Sequence, residues 1–162
     1  MILKRKAIEE SGWLEKQFLE DRTGKSLISG GDVEMGLRIG QVCEVWYNPA
    51  CQLHHIIRAR RLTRAYVRKI VFGLGGSRHN VAALEWKGSY FSWFFYSLVY
   101  SIGLIFYAIF DAISEFISSP TGADIPSAFT PVFGWWSAVW TMFRMDKVRR
   151  NELLGSATRD KI

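Results

Sequence analysis

The side chains that could carry chemistry are concentrated between residues 29 and 61. The first group is acidic: Asp32 follows two glycines, and Glu34 precedes Arg38 by four residues. That spacing suits an ion pair on a helix surface, and Ser29 with Asp32 three residues later resembles a helix capping box. On spacing alone, this group predicts a capped surface helix that begins at Asp32.

A pair of histidines, His54 and His55, forms the second group. Residues 44–48 before it are β-branched and aromatic, which predicts a short strand ended by an Asn-Pro pair, and residues 51–57 predict another extended segment. A histidine pair at a strand edge can bind a metal or a phosphate. The spacing matches no zinc motif, so we do not expect a closed structural zinc site.

The third group is the basic stretch of residues 58–70. On a helix, Arg61, Arg64 and Arg68 would share one stripe. Such a stripe can dock on anionic lipid headgroups, clamp a diphosphate or bind nucleic acid. The apolar segment that follows favours lipid headgroups over nucleic acid. The bases expected at the membrane surface are Arg58, Arg64, Arg68 and Lys69. Residues 73–77, Gly-Leu-Gly-Gly-Ser, predict a flexible break, and His79 beyond them is expected on the surface.

The elements behind these groups divide the chain by composition. The 162 residues carry a net charge of +6, yet residues 90–143 contain no lysine or arginine. Residues 90–110 are uncharged and would rise about 30 Å as a helix, which matches a bilayer core. Residues 127–143 are a weaker candidate, either as the second arm of a hairpin or as an interfacial helix. The segments that flank the two apolar stretches are both basic, which predicts that both flanks lie in the cytoplasm. The acidic connection 111–124 would then lie outside.

The order of these motifs is similar to the second half of the bacterial family-2 glycosyltransferases with a GT-A fold. The resemblance covers about residues 1–78 and is strongest in the acidic motif with its trailing Arg38. It is carried by Ile-Glu-Glu-Ser-Gly-Trp (8–13), Ser-Gly-Gly-Asp-Val-Glu-Met-Gly-Leu-Arg (29–38), Val-Trp-Tyr-Asn-Pro (45–49), His54, and Arg-Leu-Thr (61–63).

The resemblance implies an inverting transfer from a nucleotide sugar to a polysaccharide or lipid-linked acceptor. Asp32 would be the base that deprotonates the acceptor hydroxyl. The other implied positions are supporting or peripheral: Glu34 and Arg38 beside the base, Trp13 near the acceptor, His54 near the diphosphate and its Mg²⁺ or Mn²⁺, and Arg61 at the leaving group.

The implied organisation is a partial α/β GT-A domain followed by a transmembrane hairpin. Residues 1–78 would be the acceptor-side part, 79–89 a helical linker, 90–143 the hairpin with spans at about 90–110 and 127–143, and 144–162 a basic cytoplasmic tail. No Asp-x-Asp metal motif occurs in the chain, so a separate chain is one expected source of the donor-binding half. The competing hypothesis is a non-catalytic, membrane-anchored interaction module or a decayed fragment.

Overall fold

The chain folds into helices joined by turns and irregular segments. The computed structural model describes residues 4–19, 29–46, 48–52, 54–119 and 124–157, with the side chain of residue 60 left out. The helices are α1 (Arg5–Glu10), α2 (Gly31–Ile39), a 3-10 turn (Ala59–Arg61), α3 (Arg64–Leu84), α4 (Tyr90–Ser118), α5 (Ile125–Arg144) and α6 (Lys147–Leu153).

The predicted partial GT-A fold is wrong for the part of the chain that is described, because that part contains no strand and no sheet. The described residues of both expected strands are irregular, and the side chains of Val45 and Trp46 are exposed. The β-preference of such residues reflects packing on a half-buried sheet surface. Without a neighbouring strand in the described chain, that preference does not determine the structure.

Helices α3, α4 and α5 form a layer with α5 in the middle. Arg68 near the start of α3 contacts Asp124, the residue before α5, while Leu84 at the end of α3 shares a core cluster with Met142 near the end of α5. These two helices are therefore parallel. Helix α4 is antiparallel to both, because Trp93 in its first turn donates to the Met142 sulfur.

Glycines allow α3 and α5 to approach each other backbone to backbone. A Cβ atom at Gly75 would lie 2.1 Å from the Pro131 carbonyl oxygen, and one at Gly134 would lie 1.9 Å from the Phe72 carbonyl oxygen. The prediction of a flexible break at residues 73–77 is thus wrong. Their glycines lie inside α3, where the absence of a side chain permits close packing against α5.

His79 is buried, contrary to the prediction of a surface position. Its ring lies 5.0 Å from the ring of Trp93 on α4 and 5.0 Å from that of Trp135 on α5. The histidine therefore packs as an aromatic residue between the three helices, in a tilted contact with Trp93 and an edge-on contact with Trp135.

The chain after α6 returns to the end of α3. The N–H groups of Gly155 and Ala157 donate to the carbonyl oxygens of Ala83 and Leu84, both at 2.9 Å. These carbonyls belong to the last helical turn and have no partner within their own helix. Gly155 has a φ of 70°, a left-handed conformation that glycine adopts without strain.

Helix α4 contains 29 residues and is, among the described residues, the one helix long and apolar enough to cross a membrane. It begins at Tyr90, as predicted for the first span, and continues past Asp111 to Ser118. Its side towards α5 carries small residues, and its outer side carries large apolar ones. The buried small residues are Ser97, Ser101, Ala108 and Ala112; the exposed large ones include Phe91, Phe95, Val99, Ile102, Phe106 and Phe110. Length and composition thus support membrane association.

Candidate functional site

Helix α1, residues 12–19 and helix α2 form what we call the amino-terminal unit. Glu34 is its central buried charge and has no exposed surface. Its carboxylate accepts hydrogen bonds from the backbone N–H of Phe18, at 3.0 Å and 3.2 Å, and from that of Leu19, at 2.8 Å. A buried carboxylate is tolerated only when such donors replace water. Glu34 therefore fixes the segment that follows α1 against the first turns of α2.

Arg38 completes this arrangement from one helical turn further along. Its Nε lies 3.5 Å from Glu34 Oε1, and its Nη1 donates to the carbonyl oxygens of Lys16 at 2.6 Å and Gly12 at 3.3 Å. The pairing with Glu34 matches the predicted spacing of four residues. It is not a surface ion pair, because both partners also bind the backbone of residues 12–19 and both are largely buried.

The predicted capping box at Ser29 and Asp32 is wrong. The residue before α2 is Gly30, which has no side-chain cap, and the N–H of Ser29 donates instead to the Ser77 hydroxyl on α3 at 2.8 Å. In a capping box the N–H of Ser29 would donate to the Asp32 carboxylate, but here the Ser77 hydroxyl takes that hydrogen bond. Gly30 itself packs against Leu19.

Asp32 lies in the first turn of α2 with its side chain exposed. Its Oδ1 accepts a hydrogen bond from the N–H of Val33 at 3.0 Å, and it has no ion pair among the described residues. The backbone of its turn is held in place because Glu34, two residues later, is anchored. Asp32 is thus a carboxylate on a fixed helical turn that is open to a molecule from outside.

Trp13 lies in the turn after α1, next to the Gly12 carbonyl that Arg38 binds. Its indole is half-buried, and the buried Nε1 has no hydrogen-bond partner among the described residues. An unpaired buried donor is uncommon and costs free energy. Arg38 thus links Glu34 to the backbone beside Trp13, and Asp32 lies on the same helix as Glu34 and Arg38.

His54 and Arg61, the two positions expected near a diphosphate, are both exposed. No hydrogen bond or ion pair among the described residues joins either one to the acidic motif of α2. Arg61 lies instead over the ring of Tyr66, 5.9 Å from its centroid. Within the described ranges, no group of three histidine, cysteine, aspartate or glutamate side chains could hold a metal ion.

The basic stretch differs from the prediction at two positions. Arg61 is not on one helical stripe with Arg64 and Arg68, because α3 begins at Arg64 and Arg61 ends the preceding 3-10 turn. The second difference is at Arg68. Arg68 Nε donates to Asp124 Oδ2 at 3.2 Å and to the Ser127 hydroxyl at 3.1 Å, and its Nη2 contacts Asp124 Oδ1. The bond from Arg68 lowers the pKa of the Asp124 carboxyl below its usual value. Arg58, Arg64 and Lys69 are exposed.

This ion pair joins the basic stretch to the acidic connection, two segments that the charge pattern predicts on opposite sides of a membrane. Arg68 and Asp124 lie together at one end of the helical layer, which we call the Arg68 end. The amino-terminal unit lies at the other end, since Lys16 pairs with Glu152 at 2.9 Å and Leu19 packs with Leu153. We call this the Arg144 end.

A further group of side chains was not singled out from the sequence. Trp140 and Arg144 on the last turns of α5 lie beside Arg149 of α6 around one cavity. One sequence feature could have predicted this group. Trp140 and Arg144 are four residues apart, which places an indole and a guanidinium on one helix face.

No protein-family model matches the chain, and neither a curated protein nor a solved structure matches it. The likeness of the acidic motif to family-2 glycosyltransferases remains a resemblance between short segments.

Proposed function

We propose that this chain is the membrane-attached, acceptor-side part of an inverting glycosyltransferase, with Asp32 as the general base. The observation that carries the proposal is the fixed position of Asp32. Its helical turn is anchored through Glu34 and Arg38 to residues 12–19, while its own carboxylate stays open to solvent. A general base needs a fixed position, and the anchored turn provides one.

The chemistry requires one carboxylate on this side of the reaction. The acceptor hydroxyl oxygen forms a bond to the anomeric carbon of the donor sugar, and the bond from that carbon to the diphosphate oxygen breaks. Asp32 takes the hydroxyl proton, and the nucleoside diphosphate leaves with the electron pair. Attack from the face opposite the leaving group inverts the anomeric configuration, so no covalent sugar–enzyme intermediate is needed.

Trp13 stays a candidate for the acceptor side because it lies in the turn that Arg38 holds. Its half-buried indole offers an apolar face to a sugar ring. The acceptor glycan, free or lipid-linked, is assigned to the exposed carboxylate of Asp32.

The nucleotide-sugar donor is assigned to residues outside this unit. The described residues do not fit a Mg²⁺ or Mn²⁺ centre, because no suitable group of three ligands is present among them. His54 and Arg61 remain candidates for the diphosphate only if another segment or another chain brings them to Asp32. No step of the mechanism above is assigned to a metal.

The membrane location follows from α4, and its sidedness is part of the proposal. Exposed bases lie at both ends of the helical layer, so the positive-inside preference does not choose between them. They include Arg144, Lys147 and Arg149 at the Arg144 end and Arg64 and Lys69 at the Arg68 end. We place the Arg144 end in the cytoplasm because it carries the amino-terminal unit with Asp32, and nucleotide sugars are present there.

The test uses membranes of the source organism with the gene intact, deleted, or restored on a plasmid. Each membrane preparation receives a panel of nucleotide sugars, and release of nucleoside diphosphate and incorporation of sugar into glycan are measured. We expect one donor to lose both signals on deletion and regain them on restoration. Unchanged release and incorporation for every donor after deletion would contradict glycosyl transfer.

The second candidate is a membrane-anchored interaction module without catalysis. The exposure of Asp32, with no contact from His54 or Arg61, favours it. The same experiment separates the two functions. A tether would leave transfer intact in detergent-solubilised extracts after deletion and would change only the membrane-bound fraction of its partner.

A further inference from the structure

A shallow cavity of about 350 Å³, largely open to the surface, lies where α5 ends and α6 begins. Its walls combine apolar and cationic groups, because the indole of Trp140 and the side chain of Met145 face the cavity together with two arginines. The complete lining is Trp140, Thr141, Arg144, Met145 and Arg149. An occupant that satisfies this lining has an anionic part and an apolar part.

The two guanidinium groups of the cavity lack carboxylate partners within the described chain. Arg144 lies over the Trp140 ring, 5.9 Å from its centroid. The nearest acid in sequence, Asp146, uses its Oδ1 to accept the backbone N–H of Arg149 at 2.9 Å, as the cap of α6. By contrast, Lys16 and Arg68 each have an acidic partner. Both guanidinium groups are exposed and have no acidic partner among the described residues, so they are accessible to an anion.

The cavity also lies at the depth of the first turn of α4. Arg150, next to Arg149, is stacked on the ring of Tyr90, 3.7 Å from its centroid, and Trp93 donates to Met142 at 3.0 Å. Tyr90 is the first residue of the candidate membrane span. A cavity beside it would face the headgroup layer if α4 crosses the bilayer, and exposed Trp140 and Phe143 suit that layer.

We propose that this cavity binds the phosphate of an anionic membrane lipid. Arg144 and Arg149 hold the phosphate oxygens, because each guanidinium presents several N–H donors to them. The lipid chain lies along the exposed ring of Trp140. The inference depends on membrane attachment through α4 and is independent of glycosyl transfer.

A lipid phosphate and a free phosphate both present phosphate oxygens to the arginines. The experiment therefore tests each ligand separately. The full chain is purified in a neutral detergent with a small fraction of phosphatidic acid, and native mass spectrometry measures the bound lipid across a concentration series. Inorganic phosphate is then added as competitor. We expect one retained phosphatidic acid per chain and no displacement by millimolar phosphate.

The decisive variant is Arg144→Gln with Arg149→Gln, and its matched control is Arg64→Gln with Lys69→Gln at the Arg68 end. All four side chains are exposed, so folding is expected to persist. The first variant should bind phosphatidic acid roughly 30-fold more weakly, and the control should stay within about threefold of the wild type. Equal weakening in both variants would overturn the site in favour of diffuse charge attraction.

Two other outcomes also overturn the proposal. Displacement of the lipid by inorganic phosphate would assign the cavity to a free anion. A chain that floats with neutral vesicles but retains no phosphatidic acid would remove the site while leaving membrane attachment intact.

Discussion

The carboxylate of Glu34 accepts a hydrogen bond of 2.8 Å from the backbone N–H of Leu19, across 15 residues of sequence. Leu19 in turn packs in the core cluster that includes Leu84, Trp93 and Leu153. A single buried charge thus links the unit of α1 and α2 to the helical layer. The position of Asp32 depends on this link.

Glu34→Ala should loosen the amino-terminal unit. The change leaves two backbone N–H groups and the Arg38 guanidinium without their buried acceptor, which costs about 3–5 kcal/mol of folding free energy. Hydrogen–deuterium exchange at Phe18 and Leu19 should become much faster. Glu9→Ala is the control, because Glu9 pairs with Arg5 on an exposed surface and its loss costs at most about 0.5 kcal/mol. Unchanged protection of both amides in Glu34→Ala would contradict the anchoring role.

Gly75→Ala and Gly134→Ala should separate α3 from α5. Each new Cβ would lie about 2 Å from a backbone carbonyl oxygen of the facing helix, which is a steric clash. We expect a loss of about 1–3 kcal/mol, seen as a lower thermal midpoint in detergent. Gly103→Ala on α4 has open space around its Cβ and should be neutral or stabilising. Equal midpoints for Gly75→Ala and Gly103→Ala would show that α3 and α5 do not pack in this way.

The two ends of the helical layer can be distinguished with a membrane-impermeant thiol reagent. Cys43 and Cys51 are free and exposed, so Cys51→Ser leaves Cys43, just after α2, as the single thiol. Ser118→Cys and Arg64→Cys, each in a chain lacking the native cysteines, report on the Arg68 end. In sealed, oriented vesicles we expect Ser118→Cys and Arg64→Cys to react alike and Cys43 to react oppositely.

Two outcomes of this labelling would contradict the expected arrangement, and a control excludes buried thiols. Reaction of all three thiols from one side would show that α4 does not cross the membrane. Opposite reactivity of Ser118→Cys and Arg64→Cys would contradict the ion pair between Arg68 and Asp124. Labelling after detergent addition controls for thiol accessibility, because all three positions should then react.

Local patterns in the sequence predicted the parts of the fold that depend on local interactions. The uncharged run after Lys87 predicted where α4 begins, because apolar composition and length determine a candidate span. The spacing of Glu34 and Arg38 predicted their pairing. The burial of that pair was not predictable, because it depends on the backbone of residues 12–19, which lies far away in sequence.

The errors arose where a distant partner decides the structure. The glycines of residues 73–77 were interpreted as a break, yet they lie in a helix because α5 approaches there. Val45 and Trp46 suggested a strand, but no strand of the described chain pairs with them. Arg68 was assigned to lipid headgroups, and its partner Asp124 lies 56 residues later.

The measurement that tests the central claim most directly is glycan synthesis by Asp32→Asn. The restored gene carries Asp32→Asn or, as control, Glu44→Gln, which removes one exposed carboxylate from the same region. With equal amounts of protein in the membrane, we expect Asp32→Asn to lower the transfer rate about 10²- to 10⁴-fold with donor binding retained, and Glu44→Gln to leave the rate unchanged. A wild-type rate in Asp32→Asn would contradict the role of this carboxylate.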